Sequence, residues 1–329
     1  MGDPGGIGPE VALRGVIRPE VLSLCRPILV GRRDVMEKAL GLLHLPLRLR
    51  TISSPSASRP KEGLIELIEI EQKGAFELGV SSSAGGIAAY LSIEKAVELA
   101  LSGEVQAICT APISKESLKL AGLPWPGHTE MLAELTASED YAMMLIGGGL
   151  RVILVTIHTA LKSVPHAITK DSVLKTIRMA KRACQMLGID IPSIAVAGLN
   201  PHAGEAGMFG DEEARAIAPA IEKAKAMGIS ASGPHPPDTI FHRAAKGEFD
   251  IVVCMYHDQG LIPLKLLAFD KGVNVTVGLP IIRTSPDHGT AFDIAWKGLQ
   301  APWKGVANPS SMTEALKLAA TLRLPDKRD

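Results

Sequence analysis

The sequence predicts an α/β fold with mostly parallel strands, arranged as two domains. Three observations carry this. Short apolar runs rich in β-branched residues alternate along the chain with longer segments of helical periodicity. Several of those runs end in clusters of ionisable residues and glycine, as strands of an open parallel sheet do where they meet a ligand. A length of 329 residues suits two domains of ordinary size better than one.

The chain opens with MGDPGGIGPE (1–10), whose glycines and prolines make a tight turn into the helix-like EVALRGVI. Such a turn normally leaves a strand, so the sequence reads as truncated at its start or as lacking its first strand. The glycines would let the backbone approach a ligand, and a helix N-terminus favours an anion. The spacing is not G-x-G-x-x-G, and a plain strand–helix turn serves equally well. Residues 26–30 (RPILV) read as a short strand before Gly31, and 34–43 as a helix. TISSPSASRPKEG (51–63) is the most loop-like stretch. Residues 85–101 place apolar side chains at helical spacing and predict a long amphipathic helix. EVQAIC (104–109) is a strand, and Lys115 beyond it either meets an anion or faces water.

PGHTE (126–130) precedes the helix-like MLAELTA and puts His128 and Thr129 at a helix start. Free N–H groups gather there around an anion; a simple N-cap role for Thr129 is the alternative. YAMMLI (141–146) is a strand joined by a hairpin-like turn at Gly147–Gly149 to the strand RVILVTI (151–157). Residues 170–187 read as a basic-faced helix, and IAVAGL (194–199) as a strand. Residues 211–227 read as a helix whose first-turn Asp211, Glu212 and Glu213 suit its dipole. GPHPPDTIF (233–241) is proline-rich and predicts a rigid loop, in which Asp238 serves a site or closes a turn. IVVCM (251–255) is a buried strand, and Ser311-Met312-Thr313-Glu314 fits the capping box of a final helix.

Histidines mark the candidate site. His158 follows the strand 151–157, His202 follows 194–199, and His257 follows 251–255. Three imidazoles past three strand ends can converge on one point. Neutral imidazole is the commonest protein ligand for transition metals, and three protein ligands with an open position is the pattern of catalytic zinc. Three unrelated loop histidines is the alternative. Lys265, Asn274 and Arg283 follow among apolar residues, more polar groups than packing requires.

Composition narrows the classes. Hydrophobic residues make up 46% and charged residues 21%, and the formal net charge is zero, so no nucleic-acid surface is expected. Cys25, Cys109, Cys184 and Cys254 are scattered without a C-x-x-C pair, which fits reduced thiols in a cytoplasmic protein. No apolar run reaches the ~18 residues of a membrane span, so no membrane partner is expected.

Long motifs then carry a resemblance. GDPGGIGPE (2–10), PGHTE (126–130), TIHTALKSV (156–164), GLNPHAGE (198–205), PPDTIF (236–241), MYHDQGLIPLK (255–265) and GVNVTVGLPIIRTSPDHGTAFDIAWKG (272–298) resemble the 4-hydroxythreonine-4-phosphate dehydrogenase family, over nearly the whole chain. The resemblance implies the isocitrate/isopropylmalate dehydrogenase-like fold: two α/β/α domains with a cleft between them. The expected division is 1–125 with 278–329 as the cofactor-side domain, and 126–277 as the metal, substrate and dimerisation domain. It implies NAD as cofactor and one divalent metal per subunit (Zn, Co, Mn or Mg), held by His158, His202 and His257. It implies substrate contacts from His128, Thr129, Lys265, Asn274 and Arg283. Asp238 and Asp258 fall in the family's active-site motifs and, with Lys265, are the catalytic candidates. Asp287, His288 and Gly289 fall in the loop expected near NAD. The implied reaction oxidises a secondary hydroxyl of a small phosphorylated hydroxy acid, with β-decarboxylation, in pyridoxal phosphate biosynthesis. The implied assembly is a homodimer with the active site shared between subunits.

Some features differ from the family pattern. Trp296 stands where the related loop carries a small residue, and LQAPWKGVANP (299–309) reads as extra length. FGDEE (209–213), LKLLAFD (264–270) and FDIAWKG (292–298) are more similar to a branch acting on 4-phospho-D-threonate or 4-phospho-D-erythronate. A further branch oxidises dihydrodiols of aromatic dicarboxylates. From other classes, a metal-dependent phosphohydrolase would release phosphate without NAD, and an inactive metal-binding protein would have replaced the matched residues.

Overall fold

A computed structural model describes residues 1–298 and 306–325. Its strands are β1 (Leu29–Gly31), β2 (Arg48–Thr51), β3 (Leu64–Glu69), β4 (Ala107–Cys109), β5 (Ala142–Gly147), β6 (Leu150–Leu154), β7 (Ile194–Ala197), β8 (Ala231–His235), β9 (Ile251–Cys254), β10 (Val273–Val277) and β11 (Ile282–Pro286). The chain divides into two compact units, Met1–Glu139 with Leu279–Thr321, and Asp140–Gly278 with the chain from Leu322. The first crossing thus falls at 139/140, against the 125 expected from the sequence.

In the first unit β1 and β2 both pair with β3 in parallel, and β4 pairs with β11 in parallel. The helix Arg33–Leu42 buries Met36, Ala39 and Leu40, and Leu43 follows one turn on. This one-sided stripe packs on Leu13 and Val16 of the helix Gly8–Val16 and on Leu67 of β3. The helix Ser83–Leu101 is capped by the Ser82 hydroxyl, which accepts from the Gly85 N–H at 3.0 Å. It crosses the helix Lys115–Leu120 so closely that a Cβ at Gly86 would lie 2.2 Å from the Ser117 carbonyl oxygen.

In the second unit the strand order is β10-β5-β6-β9-β7-β8. β5 runs antiparallel to β10 and to β6, while β6, β9, β7 and β8 are mutually parallel. Every residue of β7 and β9 is buried, as expected for strands covered on both faces. Gly148 and Gly149 both have positive φ, 58° and 81°, as a two-residue hairpin between β5 and β6 requires. The helix Lys170–Met186 starts with a capping box between Thr169 and Ser172.

Two local expectations are corrected. GPHPPDTIF is not a loop: it spans β8 and the helix Pro237–Ala245. β8 ends the strand order, where Pro234 costs no ladder bond, and Pro237 takes the first helical position, whose N–H needs no partner. The final helix is Ser310–Thr321, so Ser311 is inside it. Its hydroxyl accepts from the Asp287 N–H at 3.0 Å instead of capping. LQAPWKG (299–305) lies outside the described residues.

Candidate active site

In the second unit, strand order assembles what the sequence scatters. β6, β9 and β7 are adjacent and parallel, so their carboxyl ends lie on one edge. His158, His257 and His202 each follow one of them. β6 ends at Leu154 and β7 at Ala197, so His158 and His202 stand on the loops beyond. His257 begins the helix His257–Ala268. The rings of His158 and His257 are 6.1 Å apart, centre to centre. His257 Nδ1 meets Asp258 Oδ1 at 2.7 Å. A carboxylate there holds the proton on Nδ1 and leaves Nε2 free for a metal, the usual outer-shell pattern. His202 is exposed, with its ring 6.2 Å from that of Phe209. Among the described residues no group of three His, Cys, Asp or Glu side chains is close enough to hold an ion. Imidazole donors have the chemistry of a divalent-metal site, but their spacing here does not gather three of them on one point. His202 does not complete the set here.

Two residues that the sequence did not flag build this edge. Glu213 is buried, and its carboxylate accepts from the N–H groups of Leu199 and Asn200, both at 2.8 Å, and from Asn200 Nδ2 at 3.0 Å. Those bonds anchor the loop that carries His202, which has φ 53° there. Buried Gln259 accepts from the Met255 N–H at 2.6 Å and donates to the Gly198 carbonyl at 2.7 Å, tying the His257 turn to the His202 loop. In sequence, Glu213 reads as one of three acids at a helix start, and only the fold turns it inward.

The remaining residues of this unit lie on separate elements. Lys265 is half-buried on the helix His257–Ala268, and Asp238 is exposed in the first turn of Pro237–Ala245. Asn274 lies on β10, and its buried Oδ1 has no hydrogen-bond partner among the described residues.

The first unit holds the anion-binding candidates. Arg283 on β11 is only 2% exposed. Its Nε and Nη2 donate to Thr110 Oγ1 at 3.1 and 2.8 Å. Burial pushes its pKa down to about 10, so it remains a cation at neutral pH. His128 opens the helix His128–Leu135, with Gly127 as the cap, so Thr129 is the second helical residue and not the N-cap. Burial first, and the Arg283 charge second, push the His128 pKa well below its ordinary value. The imidazole is therefore neutral, and its Nε2 has no hydrogen-bond partner among the described residues. A buried guanidinium facing a neutral imidazole at a helix start suits a phosphate or carboxylate. Thr110 was not singled out in sequence; it follows β4, which pairs with β11.

Of the cofactor candidates, Asp287 is fixed by Ser311, and His288 Nδ1 lies 3.1 Å from the Gly289 carbonyl. A Cβ on Gly289 would meet nothing within 4 Å, so this position is open. The opening glycine turn differs. A Cβ at Gly5 would lie 2.5 Å from the Val80 carbonyl, and one at Gly6 2.8 Å from that of Thr290. These glycines admit the protein's own backbone, which favours the plain-turn alternative. Trp296 adopts φ 61°, a conformation that favours glycine. It packs against the apolar clusters that contain Leu13 and Met312.

Comparison with known proteins follows this geometry. A family model described as "Pyridoxal phosphate biosynthetic protein PdxA" matches residues 23–319. The chain is 47% identical over 323 residues to a 4-hydroxythreonine-4-phosphate dehydrogenase of Desulforapulum autotrophicum, covering 97% of this chain and 93% of that protein. It is also 47% identical to a D-threonate 4-phosphate dehydrogenase of Pectobacterium atrosepticum, covering 98% and 97%. The crystal structure of 4-hydroxythreonine-4-phosphate dehydrogenase from Klebsiella pneumoniae superposes with a TM-score of 0.88 at 43% identity, covering 98% of this chain and 96% of that one.

Proposed function

Because the chain belongs to the PdxA family and is a dehydrogenase acting on a CH–OH group, we propose that it oxidises the secondary hydroxyl of 4-hydroxythreonine 4-phosphate. The single observation that carries the phosphorylated substrate is Arg283, a buried guanidinium beside the neutral His128 in a chain of this family. These two side chains bind the phosphate, with Thr129 at the same helix start. Lys265 and Asn274 orient the rest of the substrate. One of Asp258, Asp238 and Lys265 takes the hydroxyl proton. NAD, placed against Asp287, His288 and Gly289, would supply the hydride acceptor. A divalent metal (Zn, Co, Mn or Mg) held by His158 and His257, with His202 as third ligand only if its loop comes closer than it stands in this structure, would supply a Lewis acid for the substrate oxygens. Oxidation leaves a ketone β to the carboxylate, from which carbon dioxide departs.

The test is NADH formation from 4-hydroxythreonine 4-phosphate, run beside D-threonate 4-phosphate and with each metal in turn. The second substrate has its own support in the Pectobacterium relative. Turnover of the first alone supports the reading, turnover of the second alone replaces it, and no NADH from either overturns both.

The proposed assembly is a homodimer. The helix His257–Ala268 and the turn after it leave Leu266 86% and Phe269 76% exposed, with Ile262 and Leu267 beside them. An apolar face of this kind marks an interface. Replacing Leu266 and Phe269 together by Glu is expected to give monomers in light scattering and to cut turnover at least tenfold. A double variant that stays dimeric would place the interface elsewhere.

No helix among the described residues is long and apolar enough to cross a membrane. The four cysteines are free, and Cys184 and Cys254 are buried, which supports a reducing, cytoplasmic setting.

A further inference from the structure

One atom in the anion site of the first unit offers a lone pair where an anion needs a proton. The His128 ring hydrogen-bonds to the Ala111 backbone carbonyl, so the nitrogen that makes this bond carries a hydrogen. Its Nε2 is buried and has no hydrogen-bond partner among the described residues, so the bond comes from Nδ1. A neutral imidazole has one donor and one acceptor, and which is which follows from the bond the other nitrogen makes. Nε2 is therefore a bare acceptor. The groups beside it are donors. Arg283 has N–H groups only and no lone pair to offer, and the first N–H groups of the helix His128–Leu135 have no partner within it.

The charged groups around the ring are few. Arg283 acts on it from β11. Lys115, at the start of the helix Lys115–Leu120, has its Cε 4.0 Å from where a Cβ on Gly127 would stand, and Glu130 Oε2 lies 3.7 Å from the same point. The helix Ser83–Leu101 also packs here, but its Tyr90 and Glu94 are bonded to each other beside Trp125. Burial brings the Met1 amino group down to about 5 and Arg283 to about 10, so neither changes charge near neutral pH.

We propose that this site takes a phosphate group only together with a proton: a P–O–H donates to His128 Nε2 while the other oxygens accept from Arg283 and the helix start. This deepens the reading of the site as the phosphate site and rests on it. An unprotonated oxygen here would set lone pair against lone pair. A buried hydrogen bond left unmade costs roughly 5- to 150-fold in binding. A phosphate monoester loses its second proton at about pH 6. Above that pH the complex takes one proton from solvent, and no covalent bond to phosphorus changes. Sulfate holds no proton in this range and cannot make the bond. His128 is thus the residue that tells a phosphorylated substrate from its sulfate analogue.

The test uses inorganic phosphate and sulfate as probes, with dissociation constants read from thermal protection of the protein. At neutral pH phosphate is expected to bind at least tenfold more tightly than sulfate, within the range set by one unmade bond. On the alkaline side its dissociation constant should rise about tenfold per pH unit, the slope for one proton per ligand. Calorimetry in two buffers of different ionisation enthalpy should show the same uptake. His128→Gln places an amide N–H near the position of Nε2 and should bind the two anions alike, without the slope. His128→Asn keeps a donor for Ala111 but has nothing at Nε2, and should also lose the preference. Equal binding of the two anions by the parent, or a phosphate affinity that stays flat on the alkaline side, overturns the proposal. The phosphate site itself survives that result if Arg283→Ala weakens both anions. No protection by either anion, or protection unchanged in Arg283→Ala, overturns the site and the proposal together. Parent-like selectivity in both His128 variants assigns the preference to another group and overturns the proposal alone.

Discussion

Arg283→Ala is expected to lower kcat/KM for the phosphorylated substrate by roughly 100-fold, with most of the loss in KM. A hydrogen bond to a charged group contributes about 1.5–3 kcal/mol, and about 3 kcal/mol corresponds to roughly 100-fold. The larger figure applies because Arg283 is 2% exposed, so water neither screens its charge nor replaces it after truncation. The same change leaves Thr110 Oγ1 without its two donated bonds at 3.1 and 2.8 Å, so a lower melting temperature accompanies the kinetic loss. Two further measurements separate binding from folding. Inorganic phosphate should protect the parent protein against thermal unfolding and leave the variant unprotected. Arg283→Lys should recover only part of the loss, because it keeps the charge without the planar fork. An unchanged KM in Arg283→Ala would remove the anion role and point to a substrate without a phosphate.

The second large effect is expected at His257. His257→Ala should cut turnover by roughly 1,000-fold, the upper range for loss of one electrostatic stabiliser of a transition state, and should weaken divalent-metal binding in a competition titration with a coloured chelator. Asp258→Asn tests the cause. The bond from His257 Nδ1 to Asp258 Oδ1 at 2.7 Å fixes which ring nitrogen carries the proton. Losing an outer-shell partner of this kind typically costs 10–100-fold in metal affinity. Asp258→Asn should therefore move metal affinity while leaving the melting temperature of the metal-free protein nearly unchanged. Full turnover by His257→Ala after exhaustive chelation would sink the metal assignment. Retained metal affinity in Asp258→Asn would leave Asp258 as a proton-transfer candidate only.

Much of the fold was legible in the residues. The helices 34–43, 85–101 and 170–187 appear within two residues of their expected ends, as Arg33–Leu42, Ser83–Leu101 and Lys170–Met186. Periodicity reports burial within one element, and burial is what these helices share with their sequence pattern. β7 and β6 end at Ala197 and Leu154, short of the ends of the runs IAVAGL and RVILVTI, although single backbone bonds continue past them, from Gly198 to His235 and from Val155 to Cys254. Pro234 and Pro237 read as loop because the exceptions that admit proline, an edge strand and a first helical position, are properties of neighbours and not of composition.

The histidines, Arg283 and His128 were marked by residue type and motif, and the sequence by itself determined which chemistry was present. It did not determine what touches what. That His158 and His257 face each other follows from β6 lying beside β9, residues 150–154 against 251–254. That Glu213 grips the His202 loop and Gln259 ties it to the next strand follows from side chains turned inward by packing. Backbone periodicity is written locally, in steps of two or 3.6 residues. Strand adjacency joins residues about a hundred positions apart, and it is set by which buried faces and hydrogen-bonding edges satisfy one another in three dimensions.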